Sequence, residues 1–143
     1  RLPFAREDAL RLQGMRYSNR DLRLSMFERH VSVTEARHPI GDAAAVLGVA
    51  GDPSQDAAPE AYSGRAFLLD GQSGIMFRKG VWHGLDCFPA RTKHVDYLFL
   101  SDAGTEDEIE AQAYPQSGTH TQIFDFAENG MLFQITDPKG VLA

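Results

Sequence analysis

Gly71-Gln-Ser-Gly-Ile-Met-Phe-Arg-Lys-Gly-Val-Trp-His83 is the stretch on which the reading of the fold turns. Asp70-Gly71 is a turn signal and Ile75 to Arg78 has strand composition. Lys79-Gly80 makes a tight turn, and Val81 to His83 resumes a strand. Successive side chains of a strand point to opposite faces. Trp82 and His83 therefore face opposite ways, one packing a sheet and the other reaching a barrel interior. Outward from this stretch the pattern repeats. Leu22, Leu24 and Met26 alternate with Arg23 and Ser25, and Val31 and Val33 continue the alternation. Residues 43–50 are an apolar run of strand length, Ala66 to Leu69 is a strand, and Val95 to Leu100 is strongly β in composition. Ile123 to Phe126 and Met131 to Ile135 read as a hairpin around Asn129-Gly130. Gly51 to Gly64, with Pro53 and Pro59, reads as a loop. A short helix is expected over residues 5–14, ending at Gly14, and Ser101 to Glu110 is an acidic loop or a second short helix. About eight short strands between Gly/Pro turns predict an all-β sandwich or barrel, a single domain over 1–143 with no internal repeat.

At 143 residues, with 43% hydrophobic and 24% charged, the chain has the size and composition for one core, which excludes a wholly disordered chain. It has no apolar run of about 18 residues, so no membrane-spanning helix is expected. Arg1 to Arg16 carries scattered charges where the apolar part of a signal peptide would lie. The chain does not begin with Met, so a natural start upstream is expected. Cys87 is the lone cysteine, which excludes an internal disulfide framework and a cysteine zinc cluster and suits a reducing, cytoplasmic compartment. The net charge of −6 argues against nucleic acid as a partner. Residues 1–37 hold eight arginines against five acids, a local balance of +3 that leaves −9 on the rest of the chain. This basic third is either a solvated surface or a dock for an acidic partner or small anion.

Gly-x-x-Gly-(x)5-Gly-Val-Trp-His, ending at His83, resembles the second conserved block of cupins, and most closely that of the ureidoglycolate lyase family. Glu35-Ala-Arg-His-Pro-Ile-Gly41 is similar to that family's Glu-Arg-His-Pro-Leu-Gly segment. Pro59-Glu-Ala-Tyr-Ser-Gly-Arg-Ala-Phe67 resembles the segment leading into its Arg-Ala-Phe strand, and Val95-Asp-Tyr-Leu-Phe-Leu100 resembles its Thr-Asp-Phe-Leu strand. The order is conserved, and the resemblance covers residues 20 to 110. The chain departs from the family at Phe77-Arg78, where a Tyr-His pair is common, and at Ala36, where the family has an acid before Arg-His-Pro. A strand that the family carries after Gly41 is largely missing.

The resemblance implies a cupin, a double-stranded β-helix with its ligand in the barrel mouth, often homodimeric. It also implies a carbon–nitrogen lyase that splits ureidoglycolate into glyoxylate and urea during purine and allantoin breakdown. That chemistry needs a cation for the substrate carboxylate, a base for the hydroxyl proton and an acid for the departing nitrogen. His83 and His38, in the two family-like motifs, are expected to share one pocket as catalytic residues. Arg65, Arg78 and Lys79 are the candidate carboxylate anchors, each with surface charge as the plainer reading. Asp96 in an apolar strand is expected to pair with an Arg or His, or to face water at an edge. His30, His94 and His120 read as exposed or structural, and Trp82 and Cys87 as packing. Many cupins hold a metal through histidines and a carboxylate. This chain lacks their usual His-x-His pair, so a divalent metal is left open, with His38, His83 and Glu35 or Asp96 as a sparse set. Two alternatives stay open: a cupin enzyme acting on another small carboxylate, and a non-catalytic small-anion-binding cupin.

Overall fold

Two nine-residue strands, β1 (Leu10–Ser18) and β9 (His94–Asp102), pair antiparallel along their whole length in this computed structural model. The structure describes residues 3–50, 57–112 and 118–136. Between them in the chain lie β2 (Arg23–Leu24), β3 (Met26–His30), β4 (Glu35–Ile40), β5 (Ala45–Ala50), β6 (Arg65–Leu69), β7 (Ile75–Phe77) and β8 (Trp82–Pro89). Helix α1 (Ala103–Gln112), β10 (Thr121–Asp125) and β11 (Phe133–Gln134) follow β9. One sheet runs β1-β9-β4-β7, the facing sheet runs β10-β3-β8-β5-β6, and β2 and β11 form a short ribbon. The fold is all-β with two antiparallel sheets facing each other, as expected.

The space between the sheets divides into an apolar and a polar part. Tyr17, Ala45, Leu47, Phe77, Cys87, Val95 and Tyr97 form the apolar part. Glu28, Glu35, Arg37 and His83 lie buried beside it. A second apolar cluster, Leu24, Phe27, Val46, Trp82, Phe88, Phe126 and Ile135, covers the outer face of the five-stranded sheet. Both faces of β3 are thus buried, and Phe27 can point outward while Glu28 points in. Trp82 and His83 do face opposite ways, Trp82 into the outer cluster and His83 into the interior. Cys87 is buried beside the Tyr97 hydroxyl.

The turns follow their chemistry. Asp70 accepts from the backbone N–H of Gln72 at 2.9 Å and of Ser73 at 2.8 Å. Gly71 has φ +81°, and a Cβ there would lie 2.6 Å from the Asp42 carbonyl oxygen, so only glycine fits. Along β8 and β5, Leu47 faces Cys87 while Val49 faces His83, so β8 bulges over Gly84 to Asp86. A Cβ on Gly84 would meet Leu24 at 3.0 Å, and that close approach seats the bulge beside His83.

Three element expectations are corrected. Residues 10–14 are strand, not helix, because pairing with β9 outweighs a weak local helix preference. Val31 and Val33 lie in the connection between β3 and β4. The hairpin at Asn129-Gly130 does not form: β10 pairs with β3 and β11 with β2. Gly130 instead caps a 3-10 turn at φ +71°. The Ser101–Glu110 stretch supplies α1. Part of the expected 51–64 loop, residues 51–56, lies outside the described residues, as do 137–143 of the unmatched tail. No helix among the described residues is long and apolar enough to cross a membrane.

Candidate active site

Alternation along two strands builds the polar interior. On β3, Glu28 and His30 share a face, and on β4, Glu35 and Arg37 do. His83 on β8 sits directly opposite Glu28 across the β3–β8 pairing. These five side chains converge. His30 Nε2 is 2.8 Å from Glu35 Oε2, and its Nδ1 is 3.0 Å from the Thr121 hydroxyl. Arg37 Nε donates to Glu35 Oε1 at 2.5 Å, and its Nη2 lies 3.6 Å from Glu28 Oε1. The Arg37 guanidinium lies 4.7 Å from the Phe99 ring centre, 5.6 Å from Phe77 and 5.9 Å from Tyr17, a set of π faces suited to a cation.

His83 has no exposed surface and stacks on Phe77 with ring centres 4.3 Å apart. Its Nδ1 donates to the Val81 carbonyl at 3.0 Å. That bond turns Nε2 toward the carboxylates, 3.4 Å from both Glu28 Oε1 and Glu35 Oε2, without an aligned hydrogen bond to either. Burial alone would strip the imidazolium proton, but the charges of Glu35 and Glu28 outweigh it and raise the His83 pKa to about 9. Burial pushes the Glu35 carboxyl up, and Arg37 and His83 more than reverse this, holding it well below the usual carboxylate range. Glu28 is likewise lowered, its burial offset mainly by His83.

Glu28, His30, Glu35 and His83 offer one ligand atom each, and these atoms all lie within 4.8 Å of one another. The donor set suits a divalent cation. Both histidines have Nδ1 occupied by a second group and direct Nε2 at the carboxylates, the arrangement that fixes a histidine as a ligand. Glu35 engages Arg37 through Oε1 and keeps Oε2 toward the cluster.

A cavity of about 90 Å³ opens against this cluster, lined by Glu28, His30 and Glu35 together with Met15, Tyr17, Leu85, Phe99, Glu106 and Ile109. Glu106 and Ile109 come from α1, which lies over the mouth.

The structure distributes the expected site residues differently. His83 is in the cluster. His38 is not, because β4 alternates: Glu35 and Arg37 point in, while His38 points out, exposed, beside Gly74 on the outer face of the four-stranded sheet. Asp96 shares that outer face and takes a bidentate bond from Arg16 at 2.7 Å, so its expected arginine partner is there but its place is outside. Arg65 is exposed and donates to the Tyr62 and Gly64 carbonyls at the rim of a different groove. Arg78 is exposed at its turn, and Lys79 pairs with Glu7 at 3.0 Å. None of these five residues lines the interior cavity. His30, read as exposed or structural, is buried at its wall, and Glu28 and Arg37 are interior residues that the sequence reading did not select. The Glu28-x-His30 and Glu35-x-Arg37 alternation was the signal available for all four.

No curated protein matches the chain. A solved structure of RmlC from Streptococcus suis in complex with dTDP-D-xylose is similar at 16% identity and a TM-score of 0.41, over 66% of this chain and 44% of its own. The chain therefore spans less than half the length of that structure. The family model described as Ureidoglycolate lyase matches residues 5–121, a span running from the segment before β1 to the first residue of β10, opposite His30. With that match extending over most of its length, the chain belongs to the ureidoglycolate lyase family.

Proposed function

We propose that the protein cleaves ureidoglycolate to glyoxylate and urea, in the cytoplasm and in the breakdown of purine-derived ureides. The observation that carries this reading is the buried Glu28–His30–Glu35–Arg37–His83 cluster, three of whose members line an interior cavity, in a chain of this family. The substrate carries its hydroxyl and its ureido nitrogen on one carbon. Cleavage moves the hydroxyl proton away, turns the C–O bond into C=O, breaks the C–N bond and delivers a proton to the departing nitrogen. One group placed beside that carbon can do both transfers. Glu28 is our candidate: it lines the cavity, is held ionised, and is backed by the protonated His83. His83 acts on Glu28 and not on the substrate, because it is wholly buried behind it. Arg37 and His83 lie behind Glu28 and Glu35 and offset their charge, which eases the approach of a carboxylate substrate to a cavity lined by acids.

A second reading of the cluster is favoured by His83 Nε2, buried and without a hydrogen-bond partner between two carboxylates. In it, Glu28, His30, Glu35 and His83 would hold a divalent cation. Such an ion would act as a Lewis acid toward a 2-hydroxy acid. The protein's own part is then to fix four ligands, and to exclude bulk water with Phe99, Leu85 and α1.

The test is release of urea and glyoxylate from ureidoglycolate, measured after chelation and again with added Mn²⁺. Activity after chelation supports proton transfer by Glu28, and Mn²⁺-dependent activity supports the cation. No release in either condition overturns the lyase reading. Glu28→Gln is expected to lower kcat by about a hundred- to ten-thousand-fold with the fold kept, as judged by near-UV circular dichroism.

A further inference from the structure

Glu106 stands apart from the cluster on α1, yet it is only 7% exposed and lines the same cavity. A carboxylate this enclosed needs a reason to stay. Gln13 on the inner face of β1 donates its Nε2 to Glu106 Oε2 at 2.5 Å, which fixes the carboxylate at the cavity wall. The helix that carries it is itself anchored, since Asp102 accepts from Thr105 N–H at 3.0 Å at its first turn. Thr105 is fully buried. Around Glu106 the lining combines the apolar Met15, Leu85, Phe99 and Ile109 with the polar Glu28, His30, Glu35 and Tyr17. A carboxyl group enclosed in this way accepts N–H bonds that water cannot easily replace.

We propose that Glu106 is a specificity-determining residue that receives the N–H groups of a ureido or amide function, with Gln13 holding it in place. This deepens the lyase reading and rests on it. A ureido group presents two parallel N–H bonds, which match the two oxygens of one carboxylate. A 2-hydroxy acid without that group has nothing to offer Glu106. The residue would therefore separate ureido-bearing substrates from plain hydroxy acids of similar size, while the Glu28–His83 side of the cavity treats both alike.

The test uses two probes that are not turned over: N-carbamoylglycine, with a ureido group and a carboxylate, and glycolate, with only the hydroxy acid end. Binding of each is measured by calorimetric or NMR titration to the wild-type protein and to Glu106→Gln, whose amide can still bond to Gln13. The expected result is a loss of about tenfold or more in N-carbamoylglycine affinity with glycolate affinity unchanged. Gln13→Ala should give a smaller loss with the same selectivity. A merely structural Glu106 would lower the melting temperature and weaken both probes together, and that result overturns the inference. So does an unchanged N-carbamoylglycine affinity, or a wild-type protein that binds neither probe. If N-carbamoylglycine binds through Glu106 but ureidoglycolate yields no urea, the lyase reading fails and this inference stands.

Discussion

Glu35 has no exposed surface, and it answers three side chains at once: Arg37 through Oε1, and His30 and His83 through Oε2. Removing its charge strands Arg37 and His83 in a medium that cannot solvate them. Glu35→Gln is therefore expected to cost about 3–5 kcal/mol in urea unfolding, the range for a buried ion pair broken on one side. Asp96→Asn, at an ion pair whose Arg16 side chain is 61% exposed, should leave the midpoint nearly unchanged. Similar effects from the two variants would contradict the burial assigned here. At this scale the sequence was legible only in part. His83 was found because a motif surrounds it. Glu28, His30 and Arg37 were not, because alternation shows which residues share a face but not which face is the inner one until the second face is known to be covered. His38 illustrates the converse: it lies in a family-like motif, yet one step of strand alternation turns it to the outer face.

Elements were read well where pairing and local preference agree, as in β5, β7 and β9, and badly where they conflict. Residues 5–14 have helical composition, but β1 begins at Leu10 because nine residues can pair with β9. The helix forms on the other side of β9, and its cap is the reason. Asp102 is fully buried and accepts from Thr105 N–H at 3.0 Å and from Glu7 N–H at 3.2 Å, joining α1 to the segment before β1. Burial would raise its pKa, but the bonds from Thr105, Glu7 and Asp8 outweigh this and leave it lowered. A lowered carboxyl stabilises the fold at pH values above its unfolded pKa of about 3.9, and that contribution fades as pH falls through the folded value. Asp102→Ala is expected to cost about 1–2 kcal/mol near pH 6. The gap between wild type and variant should close as denaturation is repeated toward pH 2. A gap that stays constant across that range would mean that the Asp102 charge does not matter to the cap.

The whole molecule leaves one face unexplained by anything inside it. Strand register aligns Leu12, Leu100, Ala36 and Met76 in one row across the four-stranded sheet, with Leu98 and His38 in the next. Leu12 is 64% exposed, Leu10 and Ile40 are each 52%, and a groove of about 460 Å³ runs among Leu12, Leu98, Leu100, His38 and Met76. An apolar patch this continuous marks a contact surface. The strands β1, β9, β4 and β7, at ~4.8 Å spacing and ~3.3 Å rise per residue, make a face of roughly 430 Å². That is about half of the ~800 Å² each partner contributes to a stable dimer, so the rims beside the sheet must add to the contact. A second copy of the chain brings the same uncharged row and can pair through it about a two-fold axis. The expectation is a dimer in sedimentation at tens of micromolar protein, about the concentration where a micromolar Kd shows. Leu12→Glu and Leu98→Glu should each shift it to monomer with the melting behaviour of the individual fold retained. A wild-type monomer, or a dimer indifferent to both substitutions, would assign this face to another role and leave the barrel interior unaffected.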